Sequence, residues 1–203
     1  MNWQFFTAFL LITLVLFLIP GPIVTLVIAT SVSKGLRAGF VTVAGTSCGT
    51  AVLLAVIALG LGWILNHALY WFEMLRWAGA LYLIWLGIQA WRGAGATAPL
   101  PPSDRVQFGR GFLVALSNPK TIAFFTAFLP QFVDPGLPVA FQLAAMCVVS
   151  VLLGPASDSA WAILATLGRV WFMKPARAKL LGRLSGLALI GGGIWLSLSR
   201  RPA

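Results

Sequence analysis

The stretch WQFFTAFLLITLVLFLIPGPIVTLVIATSVS, residues 3–33, decides how this chain folds. It holds no Lys, Arg, Asp or Glu, and the first charged side chain is Lys34. About 20 apolar residues carry a helix across the hydrocarbon core of a bilayer. A charge-free run of this length, interrupted only by Pro20-Gly21-Pro22, reads as a broken transmembrane helix. It lacks the basic opening of a secretory signal, so it reads as a retained segment. The remaining composition agrees. Of 203 residues, 60% are hydrophobic and 9% charged, whereas ordinary soluble domains carry roughly 25% charge. So few charges cannot keep this much apolar surface in water. A soluble globular fold is excluded, and so is disorder, which needs low hydrophobicity.

Working outward from that first run, the charge-free stretches predict an all-α integral membrane protein with six transmembrane helices. They fall at about 3–30, 39–65, 76–91, 112–132, 139–167 and 184–198. Residues 92–110 carry Pro99, Pro101 and Pro102 and read as an extended loop. Val133-Asp134-Pro135-Gly136 is a turn signal. His67 and Glu73 read as part of an external loop, and 169–183 as a basic loop. The whole chain is expected to form one transmembrane domain: a repeat over 1–91, a cytoplasmic loop over 92–110 and a second repeat over 111–203.

Fourteen Lys and Arg against four Asp and Glu give a net charge of +10. In a soluble protein this would suggest nucleic acid; here it reports orientation, because basic residues in short loops stay cytoplasmic. The loops after the first, third and fifth segments hold ten basic residues, from Lys34 to Arg183, against three on the opposite side. Both termini are therefore expected outside. Two halves of three helices must then be inserted upside down relative to one another. Pro20 and Pro119 hold matching places in them, and Arg76-Trp77-Ala78-Gly79 resembles Arg183-Leu184-Ser185-Gly186. That is the inverted repeat of many secondary transporters, whose sites lie where broken helices meet near the midplane.

The candidate site follows from the same breaks. Proline removes the backbone bond to the residue four earlier. Pro20 and Pro22 should free the carbonyls of Leu16 and Leu18, with Gly21 flexible between them. In lipid, such carbonyls persist only inside protein or beside a water-filled cavity. Asn118-Pro119 should break the fourth segment and free the Ala115 carbonyl. Lys120, next in sequence, falls near mid-membrane, where a lysine costs at least ~2.5–3.5 kcal/mol and is a functional candidate by default. Asp158 is the only acid well inside a predicted span. The least costly arrangement pairs it with Lys120, and two opposite charges in a polar cavity suit a zwitterion. Gly45-x-x-x-Gly49 reads as a close helix approach. Cys48 and Cys147 read as packed thiols, with neither disulfide nor metal spacing. There is no phosphate loop, HExxH, buried Ser–His pair or carboxylate dyad, so no enzyme, cofactor or metal site is expected.

With these residues in hand, the chain resembles the LysE/RhtB family of bacterial amino-acid exporters. The matches run in order: Pro20-Gly21-Pro22, Gly35, Gly39, Ala44-Gly45, Gly49, Glu73, then Leu75 to Gly87. Phe108, Gly111-Phe112, Asn118-Pro119-Lys120, Phe125 and Pro130-Gln131-Phe132 complete the set, and the fifth and sixth segments match mainly at Asp158. The resemblance implies a small exporter of amino acids or their derivatives in the bacterial inner membrane, driven by an ion gradient.

Together these readings give an expected function: a secondary exporter moving an amino acid outward against proton entry. Pro20, Gly21, Pro22, Asn118 and Pro119 would present backbone groups. Lys120 would hold the substrate carboxylate, and Asp158 its ammonium group or the coupling proton. Membrane lipid surrounds the protein, nucleic acid is not a partner, and the small size is compatible with a homodimer. An inorganic-ion or metal exporter is a second class, with sparse His, Cys and acid ligands counting against it. A non-transporting scaffold is a third, which would not need a buried Lys and Asp.

Overall fold

A computed structural model describes residues 2–67, 69–92, 104–172 and 174–198. Helices α1 (Trp3–Leu18) and α2 (Pro22–Lys34) form one bent span, turning by 44° at the Pro20-Gly21 break. They are followed by α3 (Leu36–His67), α4 (Leu69–Arg92), α5 (Asp104–Leu116) and α6 (Pro119–Phe128). A 3-10 turn, Leu129–Phe132, leads to α7 (Val139–Leu167), the single turn α8 (Arg169–Phe172) and α9 (Pro175–Leu198). No strand occurs among the described residues. Among the described residues, four stretches are long and apolar enough to cross a bilayer: Leu36–Leu61, Val106–Phe132, Val139–Leu167 and Lys179–Leu198. The bent pair α1–α2 makes a fifth, and α4 carries a shorter apolar stretch, Trp77–Gln89. Leucines such as Leu59, Leu81, Leu152 and Leu167 stand exposed on these helices, as lipid-facing side chains do.

Several boundaries differ from the sequence expectation. Helix α4 begins at Leu69, so His67 and Glu73 lie on helices and not in a loop; no Pro or Gly occurs from Trp63 to Ala78 to stop the backbone. The expected loop over 92–110 ends early, because α5 begins at Asp104, just after the last proline at Pro102. Part of that loop, 93–103, lies outside the described residues. The basic stretch 169–183 is helical over most of its length, in α8 and α9. Gly191-Gly192-Gly193 does not interrupt α9, because Gly193 is buried against α4 and packing overrides its low propensity.

Small residues set the helix spacing. A Cβ on Gly45 would collide with the Phe108 backbone, and one on Gly49 with the Phe112 carbonyl. The four-residue step on both helices means that α3 and α5 run parallel and nearly touch. Helix α4 packs along α9 in the opposite sense. A Cβ on Gly87 would lie 2.6 Å from the Gly186 carbonyl and against Ile190, while one on Gly193 would lie 2.7 Å from the Ala80 carbonyl and against Ile84. Gly35 ends α2 at φ 87°, the one positive-φ residue among those described. With ψ 175°, it sits in a region open essentially to glycine alone.

One end of the bundle is stitched by polar groups. The Asn2 amide donates to the Asp134 carboxylate (3.1 Å), so the N-terminus and the α6–α7 turn share one end. The Asn2 amide and then the Gly136 N–H hold the Asp134 carboxyl below the usual carboxylate range. Buried Gln142 accepts the Asp134 N–H and donates to the Asp134 carbonyl, both at 2.9 Å. Beneath this turn lies an apolar core, with Phe9 edge-on to Phe125 and Phe132.

The packing gives a direct prediction. Gly45→Ala should destabilise the protein by about 1–3 kcal/mol, the usual cost of overpacking. Gly60→Ala, where a new Cβ meets open space, should be neutral or stabilising by up to about 1 kcal/mol from helix propensity. Thermal unfolding of both variants in one detergent compares them directly.

Candidate functional site

The two broken helices meet at one interior cavity. From α1 and α2 it is lined by Leu16, Phe17, Gly21, Ile23 and Val24; from α3 by Ser47 and Thr50. The α6 break contributes Asn118, Lys120 and Thr121, and α7 contributes Val151, Gly154, Pro155 and Asp158. The space between them is about 30 Å³, room for about two waters. Binding anything as large as an amino acid therefore requires these walls to separate.

Three carbonyls at the break in α1 take donors from other elements. Pro20 and Pro22 leave the last turn of α1 without its usual N–H partners, and other elements supply donors. The Lys120 ammonium donates to the carbonyls of Leu16 and Ile19, both at 2.7 Å. The Ser157 hydroxyl on α7 donates to the Phe17 carbonyl at 3.1 Å. The Ile19 N–H closes the helix on Val15. The freed Leu16 carbonyl expected from sequence is thus present, and a lysine from the other half of the chain covers it. The Ala115 carbonyl behaves otherwise: it accepts the Asn118 N–H at 3.2 Å, so the α5–α6 break leaves it paired.

The start of α6 is capped and the start of α2 is not. Asn118 accepts from the Lys120 N–H (3.1 Å) and donates to the Thr121 hydroxyl (2.8 Å). Gly21 opens α2 with no side-chain cap, so the N–H groups of buried Ile23 and Val24 face the cavity wall without one. A helix start carries about half a positive charge. Gly21 also fits close to Lys120: a Cβ there would lie 3.0 Å from the lysine Cδ.

Asp158 sits across this space on α7, 7% exposed, and accepts from the Thr46 hydroxyl at 3.3 Å. The direct Lys120–Asp158 ion pair expected from sequence is not formed. Each takes its own partners: Lys120 the carbonyls at the α1 break, Asp158 the Thr46 hydroxyl. Of the other expected site residues, Gly21 and Asn118 line the cavity, while buried Pro20, exposed Pro22 and half-buried Pro119 shape the breaks without lining it. Sequence reasoning missed Thr46, Ser47, Thr50, Thr121 and Ser157. A hydroxyl in an apolar helix usually bonds its own backbone, as Ser47 does with Val43, so no linear signal separates those that turn toward a cavity.

Buried polar groups lie on both sides of the cavity. Toward the Lys34 end lie Thr30, Ser31, Thr42, Thr46 and Gln107, beside an apolar cluster of Val27, Val43 and Ala162. Toward the Asn2 end lie Thr13, Gln131, Gln142 and Ser150, among Phe9, Phe125, Leu129 and Phe132. Thr30, Ser31 and Gln107 on one side, and Thr13 and Gln131 on the other, each keep a polar atom without a hydrogen-bond partner. The large aromatic side chains gather on the Asn2 side.

Broken helices around a buried charged cavity, in an all-helical chain with several apolar spans, define a membrane translocator rather than an enzyme. Residues 14–200 match the model of the LysE type translocator family, and the chain belongs to that family. It is similar to the homoserine/homoserine lactone efflux protein of Salmonella typhimurium, 34% identical over 98% of this chain and 99% of that one. An uncharacterized membrane protein of Pseudomonas aeruginosa is 33% identical over 90% and 88% of the two chains. The leucine efflux protein of Klebsiella pneumoniae is 29% identical over 67% and 71%. No solved structure matches the chain.

Because Lys120 and Asp158 hold separate partners, removing one should not be repaired by removing the other. In buffer whose only cation is N-methylglucamine, Lys120→Ala should cost about 1.5–3 kcal/mol for the lost charged hydrogen bonds. Lys120→Ala/Asp158→Ala should lose at least as much. Recovery of stability in the double variant, read by thermal unfolding, would restore the ion-pair model.

Proposed function

We propose that this protein exports a small neutral amino acid or its close derivative across the bacterial inner membrane, with an inward proton flow as the driving reaction. The observation that carries this reading is the cavity itself, with one ammonium, one carboxylate and an uncapped helix start brought together at two helix breaks. A zwitterion matches it. The substrate carboxylate would take the free N–H groups of Ile23 and Val24 and the remaining N–H of Lys120. Its ammonium would take Asp158. Hydroxyls at Ser47, Thr50 and Thr121 suit a polar side chain, which fits the homoserine named for a relative better than the leucine named for another.

Asp158 is the candidate for proton exchange. It alone in the cavity can alternate between a carboxylate that holds an ammonium group and an acid that releases it. That alternation supplies the differential binding which any conformational switch needs. The Lys34 side is the entry side, and the phenylalanine cluster toward Asn2 is the gate that opens for release. With Lys34 cytoplasmic, as the basic loops suggest, this direction is export.

The architecture we propose is six spans in two inverted repeats, with α1–α2, α3 and α4 matched to α5–α6, α7 and α9. The α4–α9 contacts support it, since Gly87 on Gly186 and Ile190 mirrors Gly193 on Ala80 and Ile84. This register equates Ala80 with Gly186, one residue from the equivalence suggested by the Arg-x-small-Gly motifs.

Purified protein in liposomes should move radiolabelled homoserine or threonine faster than leucine, and a pH gradient should change the rate. Asp158→Asn should abolish the response to the pH gradient while leaving exchange of substrate for substrate. Flux that never responds to pH in the wild-type protein would remove the proton from this scheme. No flux for any amino acid would remove the substrate class.

A further inference from the structure

The Lys120 ammonium sits where broken-helix transporters commonly place something else. In such folds the carbonyls at the C-terminal end of a half-helix coordinate a dissolved coupling cation, commonly sodium. Here the corresponding oxygens, those of Leu16 and Ile19 at the end of α1, both accept from the Lys120 nitrogen at 2.7 Å. The side chain reaches them from α6, and Gly21 leaves its methylene stem just enough room.

We propose that Lys120 is a built-in cation that fills this carbonyl site and locks the α1 break, so that transport needs no sodium or potassium. The inference deepens the transport reading and rests on it for direction, but the site is local and stands on its own geometry. Pro20 removes the N–H partner of the Leu16 oxygen, and the chain turns extended at Ile19, so that oxygen too lies beyond the helix ladder. A third, on Phe17, is covered by the Ser157 hydroxyl. A helix C-terminus carries about half a negative charge, and Asp158 lines the same cavity. The positive groups answering this negative site are Lys120 and the start of α2. Remove the ammonium and the cavity keeps its carboxylate and two bare carbonyls, which is a site for a small monovalent cation or amine.

The experiment compares wild-type protein with Lys120→Ala and Lys120→Met in N-methylglucamine, sodium, potassium and methylammonium buffers. Homoserine exchange with no imposed pH gradient and melting temperature are both read. Wild-type protein should show equal flux and an unchanged melting temperature in all four. Lys120→Ala should lose about tenfold or more of its flux in N-methylglucamine, the equivalent of one charged hydrogen bond. Methylammonium or sodium should restore part of that flux and raise the melting temperature. Lys120→Met, whose apolar chain fills the space, should respond to none of them. A sodium requirement in the wild-type protein overturns the proposal. So does a folded Lys120→Ala that is fully active in N-methylglucamine, or whose melting temperature ignores every small cation. Should Lys120→Ala not fold in any buffer, the wild-type comparison decides, since a specific sodium-induced rise in melting temperature shows a dissolved cation where the lysine is placed. The melting readout needs no substrate, so it separates failure of this inference from failure of the amino-acid reading.

Discussion

A carbonyl without a hydrogen bond is costly inside a membrane, and the rest of this structure is organised around that cost. Two prolines in the first span strip N–H groups from the last turn of α1. Lipid offers no water to replace them. The chain answers with a lysine from α6 and a serine from α7, both distant in sequence. Neither donor could reach unless α6 and α7 packed against the break, so satisfying a few oxygens brings the two halves of the molecule together. The same convergence encloses a cavity with one cation and one carboxylate.

Close packing elsewhere permits that convergence. Gly45 and Gly49 let α5 approach α3 until any side chain larger than hydrogen would collide. This brings the α5–α6 break, and with it Asn118 and Lys120, level with the break in the first span. Gly87, Gly186 and Gly193 do the same for α4 and α9. Between helices in lipid there is little hydrophobic driving force, so contact area and backbone approach must supply the attraction. The small residues are therefore what allows a bundle with a polar interior to hold together.

The cavity is too small for an amino acid as it stands. Buried hydroxyls and amides lie on both sides of it, and a cluster of phenylalanines gathers toward Asn2. An alternating mechanism needs a two-state element that ligands bias. The hinge between α1 and α2, clamped by Lys120, is the element best placed to serve. The Asn2–Asp134–Gln142 network ties the Asn2 end of α1 to α7, so movement at the hinge would be felt across the phenylalanine cluster.

Much of this was legible along the chain. Charge-free runs imply lipid as the solvent, because composition alone sets that choice. The positions of Pro20, Pro22 and Pro119 locate both helix breaks, since proline's missing N–H acts locally, although Pro155 lies within an unbroken α7. Lys120 and Asp158 stand out for the same reason: a charge in an apolar run is anomalous without any knowledge of its neighbours. Tertiary structure decided the partners. Lys120 binds the α1 carbonyls and not Asp158, because the competition between acceptors depends on distances that no linear pattern encodes. Gly191 to Gly193 continue a helix that propensity would break, because the burial of Gly193 against α4 outweighs backbone entropy. Ser47, Thr50 and Thr121 became cavity residues only through the rotation of their helices. A serine or threonine satisfies itself on its own backbone equally well when facing lipid or a substrate, so only packing reveals which way it turns.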